Sequence, residues 1–415
     1  MQDQLLVGLV GCGGISAHYV RLLTAFADRA RVVAVCDLVE ERAAERSAQF
    51  RESYLAGAAE WDTGATAAAD AQERERRRAM AARCRHAAEA PPRVYTDFER
   101  TVRDDEVQAV VVATQPMMHP VVSIAALEAG RHVFTEGPMA AHLRDADAMI
   151  DAARRRRVKL SVQYCTRFFR EARQAELAIA AGKLGKLVLG RMDASWHWGM
   201  EWYRDTKFGR NMYRGTWKGE GGGSAFHHGR YGSDLFLHLM GEPVAEVTAL
   251  TGRLLHDIEC EDVSSASLRF QSGALGHATT TICAHRNKAI PYDRVEILGE
   301  KASLQVYRGI DWRTTPARPQ FGLSLSSADP DYVADVLAYL NEEVPPTDED
   351  MQAAQMRLFL DAVQHDGVVP VPGESARAHV ELARATYKSA FTGTVVKLPL
   401  APHDLFYGPE GTSPQ

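Results

Sequence analysis

The chain has 415 residues, 46% of them hydrophobic and 25% charged, with a formal net charge of −6. That length exceeds one ordinary core, so two domains are expected. The mild negative balance gives no footing for nucleic acid, and no apolar run approaches the roughly 20 residues that span a bilayer.

The chain enters a strand pattern at once, so no signal peptide is expected. Leu5-Leu6-Val7-Gly8-Leu9-Val10 is an apolar run that feeds into Gly11-Cys12-Gly13-Gly14-Ile15-Ser16, where a helical pattern begins. A second run, Val32-Val33-Ala34-Val35-Cys36, ends in Asp37. This layout predicts a dinucleotide site. Gly11 permits the tight turn, and Gly13, with Gly14 and Ile15, lets backbone approach a pyrophosphate at the helix N-terminus. Asp37 stands where a carboxylate takes a ribose diol and repels a 2′-phosphate. NAD is therefore expected, and NADP stands as the less favoured reading, kept open by nearby Arg42. Ser16 replaces the third glycine. Further buried strands are expected over 107–113, 131–135 and 158–163, with a helix over 120–129 capped by Gly130. This alternation predicts a doubly wound parallel sheet, a Rossmann domain over residues 1–155. Residues 52–92, rich in Ala, Arg and Glu, read as exposed helices inserted into it. The run Arg154-Arg155-Arg156-Arg157 closes a helix, where cations suit the dipole.

From about residue 186 the pattern changes to longer alternating strands, over 187–196, 244–251, 264–270 and 275–283. They predict an open, mostly antiparallel sheet in a second, α+β domain over 156–415. Helices return from about Asp350, and 408–415 read as a loose tail. Six scattered cysteines without a C-x-x-C pair suit free thiols in a cytoplasmic protein.

Several landmarks in order resemble the glucose-fructose oxidoreductase / inositol dehydrogenase / MocA group. They are Gly11-Cys12-Gly13 with Asp37, Ala113-Thr114-Gln115-Pro116-Met117-Met118-His119 and Glu136-Gly137-Pro138. Later come Glu220-Gly221-Gly222-Gly223, Leu239-Met240-Gly241-Glu242-Pro243 and Glu261-Asp262. The resemblance implies an N-terminal Rossmann domain, a C-terminal substrate and oligomerisation domain, and sugar or cyclitol substrates. It implies cofactor contacts from Thr114, Pro116, His119, Glu136 and Gly137, and assembly as a homodimer or homotetramer. Two departures matter. The family's lysine between Glu and Pro is here Gly137, and its Asp and His after the glycine run are here His227 and Tyr231. The NAD-dependent glycoside hydrolases of the same superfamily also lack that lysine and carry a His-Gly pair, which His228-Gly229 resembles.

Without the lysine, proton transfer falls to His228, His227 and Tyr231. A continuous helix puts His227 and Tyr231 on one face, and a histidine with a pKa of roughly 6.5 can take a hydroxyl proton at neutral pH. His227, His228 and His238 diverge too far for chelation, so no metal is expected. Four of the six tryptophans fall within residues 196–217. Trp198, Trp202 and Trp217 are candidate stacking faces for a sugar ring, and Arg210 and Arg214 candidate anchors for an anionic group. Tyr164 and Arg167 are expected beside the substrate or the nicotinamide.

The reading favoured is an NAD-dependent sugar enzyme that oxidises a ring hydroxyl, at carbon 3, as part of redox-neutral glycoside cleavage with NAD retained. A plain sugar or cyclitol dehydrogenase, a 3-ketosugar reductase, and a non-catalytic NAD(P)-binding sensor stand as alternatives. The expected partner is a small carbohydrate, not nucleic acid or membrane.

Overall fold

A computed structural model describes residues 4–68, 70–204, 213–285, 292–311 and 318–411. Arg210 lies outside them. Two compact units result.

The first unit takes in Met1–Glu136, Ala148–Gln163 and Gln355–Gly373. Its sheet is built from β1 (Leu5–Val10), β2 (Ala30–Cys36), β3 (Arg93–Tyr95), β4 (Ala109–Val112), β5 (His132–Thr135) and β6 (Leu160–Val162). All pairs are parallel, in the order β3-β2-β1-β4-β5-β6. Val7, Leu9, Val33, Val35, Val110 and Val112 are all buried, so neighbouring positions on both faces are covered. That is why these strands read as unbroken apolar runs rather than alternations.

Helix α1 (Ser16–Ala25) follows the glycine turn. The insert is not a separate element. Helix α2 (Glu40–Ala67) starts right after β2 and runs on through the segment expected to begin at 52, and α3 (Ala71–Glu89) returns. Asp70 caps α3 by accepting from the Glu73 N–H at 2.8 Å. Phe50 and Tyr54 bury one stripe of α2, and the Tyr54 hydroxyl accepts from the Val32 N–H at 3.1 Å.

The second unit takes in Gly137–Asp147, Tyr164–Ala354 and Glu374–Gln415. Where sequence placed one crossing near 155, the chain passes between units more than once. The second sheet holds β7 (Leu187–Ser195), β8 (Val244–Gly252), β9 (Val263–Phe270), β10 (Leu275–Thr281), β11 (Asp293–Gly299), β12 (Ser303–Asp311), β13 (Arg318–Ser326) and β14 (Val396–Lys397). Its order is β13-β12-β11-β7-β10-β9-β8-β14. Only β7 with β10 is parallel among the described pairs.

The tail is not loose up to Gly411. Fully buried Arg384, on the helix Gly373–Thr392, donates to the carbonyls of Phe406 and Gly411, each at 3.0 Å. No helix among the described residues is long and apolar enough to cross a membrane.

Candidate active site

The glycine turn of the first unit is held from several sides. Gly11 has φ +99°, and a Cβ there would lie 2.5 Å from the Ala113 carbonyl oxygen. Only glycine lets β1 leave the sheet that close to the end of β4. Arg46 of α2 donates to the carbonyls of Cys12 and Gly13 from below, each at 3.4 Å. Asp37 accepts from the Cys12 N–H and the Val39 N–H, both at 2.9 Å, one to each oxygen. Each oxygen keeps a lone pair for another donor.

This turn fits a dinucleotide. A Cβ at Gly13 or Gly14 would meet nothing within 4 Å, so those two glycines border open space. Ile15, the N-cap residue of α1, offers no side-chain cap, and the Ser16 and His18 N–H groups of the first turn bond back to the carbonyls of Gly13 and Ile15 at 3.1 and 3.0 Å. Ile15, Leu38, Val39 and Met117 are 43%, 87%, 41% and 38% exposed. These apolar side chains all follow the carboxyl ends of β1, β2 or β4, where open α/β sheets bind ligands. Thr114 is half-buried, Pro116 opens a short turn, and buried His119 bonds through Nε2 to the Thr114 carbonyl at 3.0 Å. Glu136 accepts from the Tyr19 hydroxyl at 2.7 Å. Gly137 is buried in the second unit.

The candidate proton-transfer groups lie in the second unit. The helix expected through 225–231 is broken: Ser224–His228 forms a π-helical turn, and a new helix begins at Arg230. The glycine run causes this by close approach. A Cβ at Gly223 would lie 1.9 Å from the Glu261 carbonyl oxygen. Buried Glu261 then accepts from the N–H groups of Gly223 and Ala225 at 3.0 and 2.8 Å, and from the Tyr387 hydroxyl at 3.0 Å.

The break corrects the shared face expected of His227 and Tyr231. His227 Nε2 turns to Glu220 Oε1 at 3.5 Å. Tyr231 instead lies beneath the guanidinium groups of Arg230 and Arg308, 4.4 and 4.9 Å from its ring. Burial, opposed by the Gly215 N–H bond and by Arg214 and Arg230, pushes Glu220 up to about 7. The expectation of an ordinary imidazole fails for His228. Burial first, then Arg230 and Arg214, pull it down to about 3, so it is neutral at pH 7. Its Nε2 lies 3.1 Å from the Tyr203 hydroxyl. Tyr203 and Glu220 are the members that the sequence reading missed.

The aromatic loop forms a column rather than a set of free faces. Tyr292 stacks on Trp196 at 4.4 Å, Trp196 lies 6.3 Å from Trp198, and Trp198 stacks on Trp202 at 4.2 Å. Arg214 caps the column 3.9 Å above Trp202. Trp198 and Trp202 therefore offer ring edges, and their indole N–H groups have no partner among the described residues. A cavity of 280 Å³ opens beside Tyr203, Arg214 and Arg253.

Three expected ligand contacts are buried within the second unit. Arg167 makes a buried bidentate pair with Asp234 at 2.7 and 2.5 Å and also donates to Ser375. Trp217 is buried edge-on against Tyr387 and Phe391. Tyr164 is buried between Tyr231 and His379, and its hydroxyl has no partner among the described residues.

Residues 5–164 match the family model described as "Oxidoreductase family, NAD-binding Rossmann fold", and residues 172–305 match "GFO/IDH/MocA C-terminal domain". The chain belongs to the Gfo/Idh/MocA family. Its first unit thus carries the NAD-binding Rossmann domain of that family. Among Gfo/Idh/MocA relatives, the chain is similar to a myo-inositol 2-dehydrogenase of Thermotoga maritima, 31% identical over 51% of this chain and 60% of the relative. It is also similar to a trans-1,2-dihydrobenzene-1,2-diol dehydrogenase of Bos taurus, 25% identical over 48% of this chain and 56% of the relative. The match spans less than two thirds of both relatives. The fold matches the WlbA dehydrogenase of Bordetella pertussis, solved with NADH and UDP-GlcNAcA. There the TM-score is 0.71 and the identity 23%, over 97% of this chain and 100% of the other.

Proposed function

We propose that this chain is an NAD-dependent enzyme that oxidises a secondary hydroxyl on the ring of a sugar or glycoside. The observation that carries the reading is the His227–Glu220 pair, 3.5 Å apart, with the glutamate held up at about 7. Oxidising an alcohol removes a hydride from carbon and a proton from oxygen. Bound NAD supplies the hydride acceptor, held by Gly11, Gly13, Gly14, Ile15 and Asp37, with Thr114, Pro116, His119, Glu136 and Gly137 as further contacts. The hydroxyl proton goes to His227 and is shared with Glu220, an acceptor matched to neutral pH. His228, neutral and bonded to Tyr203, orients the substrate oxygen. The names of the relatives support the substrate class: a cyclitol, a ring diol and a nucleotide-linked sugar acid each carry secondary hydroxyls on a six-membered ring.

A second reading extends the first to glycoside cleavage. It is favoured by Gly137 in place of lysine. A ketone at carbon 3 acidifies the C–H at carbon 2. Glu220 removes that proton while His227 keeps the hydroxyl's, the group at carbon 1 departs, water adds across carbon 1 and carbon 2 with the proton returned to carbon 2, and the ketone takes back the hydride and the hydroxyl proton it gave up. The route does not use the paired carboxylates of ordinary glycosidases.

The test is turnover of the purified chain with NAD over a panel of aryl glycosides and free sugars. Release of the aryl alcohol without net NADH is expected. Stoichiometric NADH from free sugars without cleavage removes the second reading only. NAD binding with no turnover on any member overturns both and leaves the sensor. A base acts when deprotonated, so turnover should rise with pH through about 7, the value to which burial holds Glu220. Glu220→Gln should lower turnover by about 100-fold or more and abolish that limb while NAD binding stays intact. An unchanged pH profile would remove Glu220 from the mechanism.

A further inference from the structure

We propose that His256, Asp262 and Cys283 form a binding site for a borderline divalent cation of the zinc type, separate from the proton-transfer pairs. The three donors are not the histidines to which the sequence draws attention. His256 lies in the connection between β8 and β9, Asp262 just before β9, and Cys283 just after β10.

The donor atoms converge. His256 Nδ1 lies 3.2 Å from Asp262 Oδ2 and 3.7 Å from Cys283 Sγ, and all three lie within 4.8 Å of one another. A tetrahedral ion about 2.0 Å from nitrogen and oxygen and about 2.3 Å from sulfur sets N···O at about 3.3 Å and N···S at about 3.6 Å. Two of the three edges already have those lengths.

The surroundings are those of a prepared ligand set. His256 Nε2 lies 2.7 Å from the Trp198 carbonyl oxygen. A carbonyl only accepts, so Nε2 carries a proton, and Nδ1 is the ring atom turned toward the carboxylate and the sulfur. A ring nitrogen lone pair facing a carboxylate oxygen at that distance needs a cation or a proton between them. Donation of the other ring N–H to a backbone carbonyl is the bond that metal-bound histidines make. Asp262 is fixed as well: Oδ1 accepts from the Leu254 N–H at 2.8 Å, and Oδ2 from the N–H groups of Leu255 and His256 at 2.7 and 2.8 Å. Cys283 is half-buried, which leaves an entry path. The set of one sulfur, one nitrogen and one oxygen suits zinc or cobalt and disfavours magnesium or calcium. A fourth position stays open for water.

Such an ion would fasten the aromatic loop. Its histidine holds the Trp198 carbonyl, the Trp198 backbone N–H donates to the Ile282 carbonyl at 3.1 Å, and Tyr203 packs edge-on to the His256 ring at 5.9 Å. Binding can therefore be read in tryptophan fluorescence as well as in the metal.

The test uses the tag-free full chain, stripped with a chelator and titrated with cobalt and then zinc. One equivalent of cobalt should give visible bands of a four-coordinate ion and a near-ultraviolet thiolate charge-transfer band, with a change in tryptophan emission. Zinc should displace it. Cys283→Ser should abolish the charge-transfer band and weaken zinc binding at least tenfold while the melting temperature of the stripped protein stays unchanged. Failure to bind either ion overturns the site, as does a charge-transfer band that survives in Cys283→Ser. A proton on His256 Nδ1 at neutral pH in the presence of excess zinc, seen by NMR, overturns it too.

Discussion

Two glycines of one motif do opposite work. Gly11 is wedged, with φ +99° and its missing Cβ 2.5 Å from a backbone oxygen, whereas nothing lies within 4 Å of a Cβ on Gly13. Gly11→Ala should therefore cost about 2–3 kcal/mol of stability through strain and overpacking. Gly13→Val should leave thermal melting unchanged and lower NAD affinity at least tenfold by filling the phosphate cradle, as read by calorimetry. Equal losses of stability in the two variants would contradict the cradle. The motif and Asp37 are legible in sequence because their roles are local. The roles of Tyr203 and Glu220 are not. Tyr203 and His228 are 25 residues apart and meet through folding. Glu220 and His227 meet because the chain reverses at Gly221, φ +83°, and then makes a π turn. A helical wheel drawn through 225–231 has no means of showing that turn. The same limit explains Arg167 and Trp217, whose residue types suit a ligand but whose neighbours Asp234 and Tyr387 claim them.

At the scale of elements, buried parallel strands announce themselves as continuous apolar runs. The strands β11 to β13 do not, and the sequence reading stops short of them. Their signal was the two-residue alternation of Val295 and Ile297, then Leu304 and Val306, all buried. The insert was legible as helix, but its start was not, because no Gly or Pro separates it from the helix after β2. The tail reads as loose because its residues are small and polar, yet the Gly411 carbonyl, with that of Phe406 just before the tail, accepts from a buried cation. Burial depresses Arg384 to about 10, which marks how poorly solvated that guanidinium is. A chain ending at residue 403 removes both acceptor carbonyls. An unpaired buried charge costs about 3–5 kcal/mol, so the melting temperature should fall by about 5–10 °C. Adding Arg384→Met to the shortened chain should recover most of the loss, since an apolar side chain needs no acceptor. Melting unchanged by the truncation would show that the two bonds contribute nothing.

At the scale of the molecule, the first unit is not a continuous stretch of chain. The segment Gln355–Gly373 returns to it and finishes its sheet. Val162 of β6 donates its N–H to the Val371 carbonyl at 3.0 Å, and Gln355 Nε2 donates to the Val162 carbonyl at 2.7 Å. Phe359, 2% exposed, packs edge-on against Phe134 at 5.3 Å. Arg29 bonds to Gln364 and pairs with Asp361 at 2.7 Å. A fragment of residues 1–163 contains every dinucleotide contact proposed for this unit but lacks this cover. It would expose an open edge at β6 and the Phe134 face, and losing the burial of Phe359 alone forfeits about 2–3 kcal/mol. The fragment should therefore show poor amide dispersion by NMR, no cooperative melting transition and no measurable NAD affinity. Joining residues 355–373 to its C-terminus through a flexible linker should restore all three, because the returning segment then supplies its contacts within one chain. A fragment that melts cooperatively and binds NAD without the segment would show that the nucleotide domain closes its own core, as a single boundary near residue 155 requires.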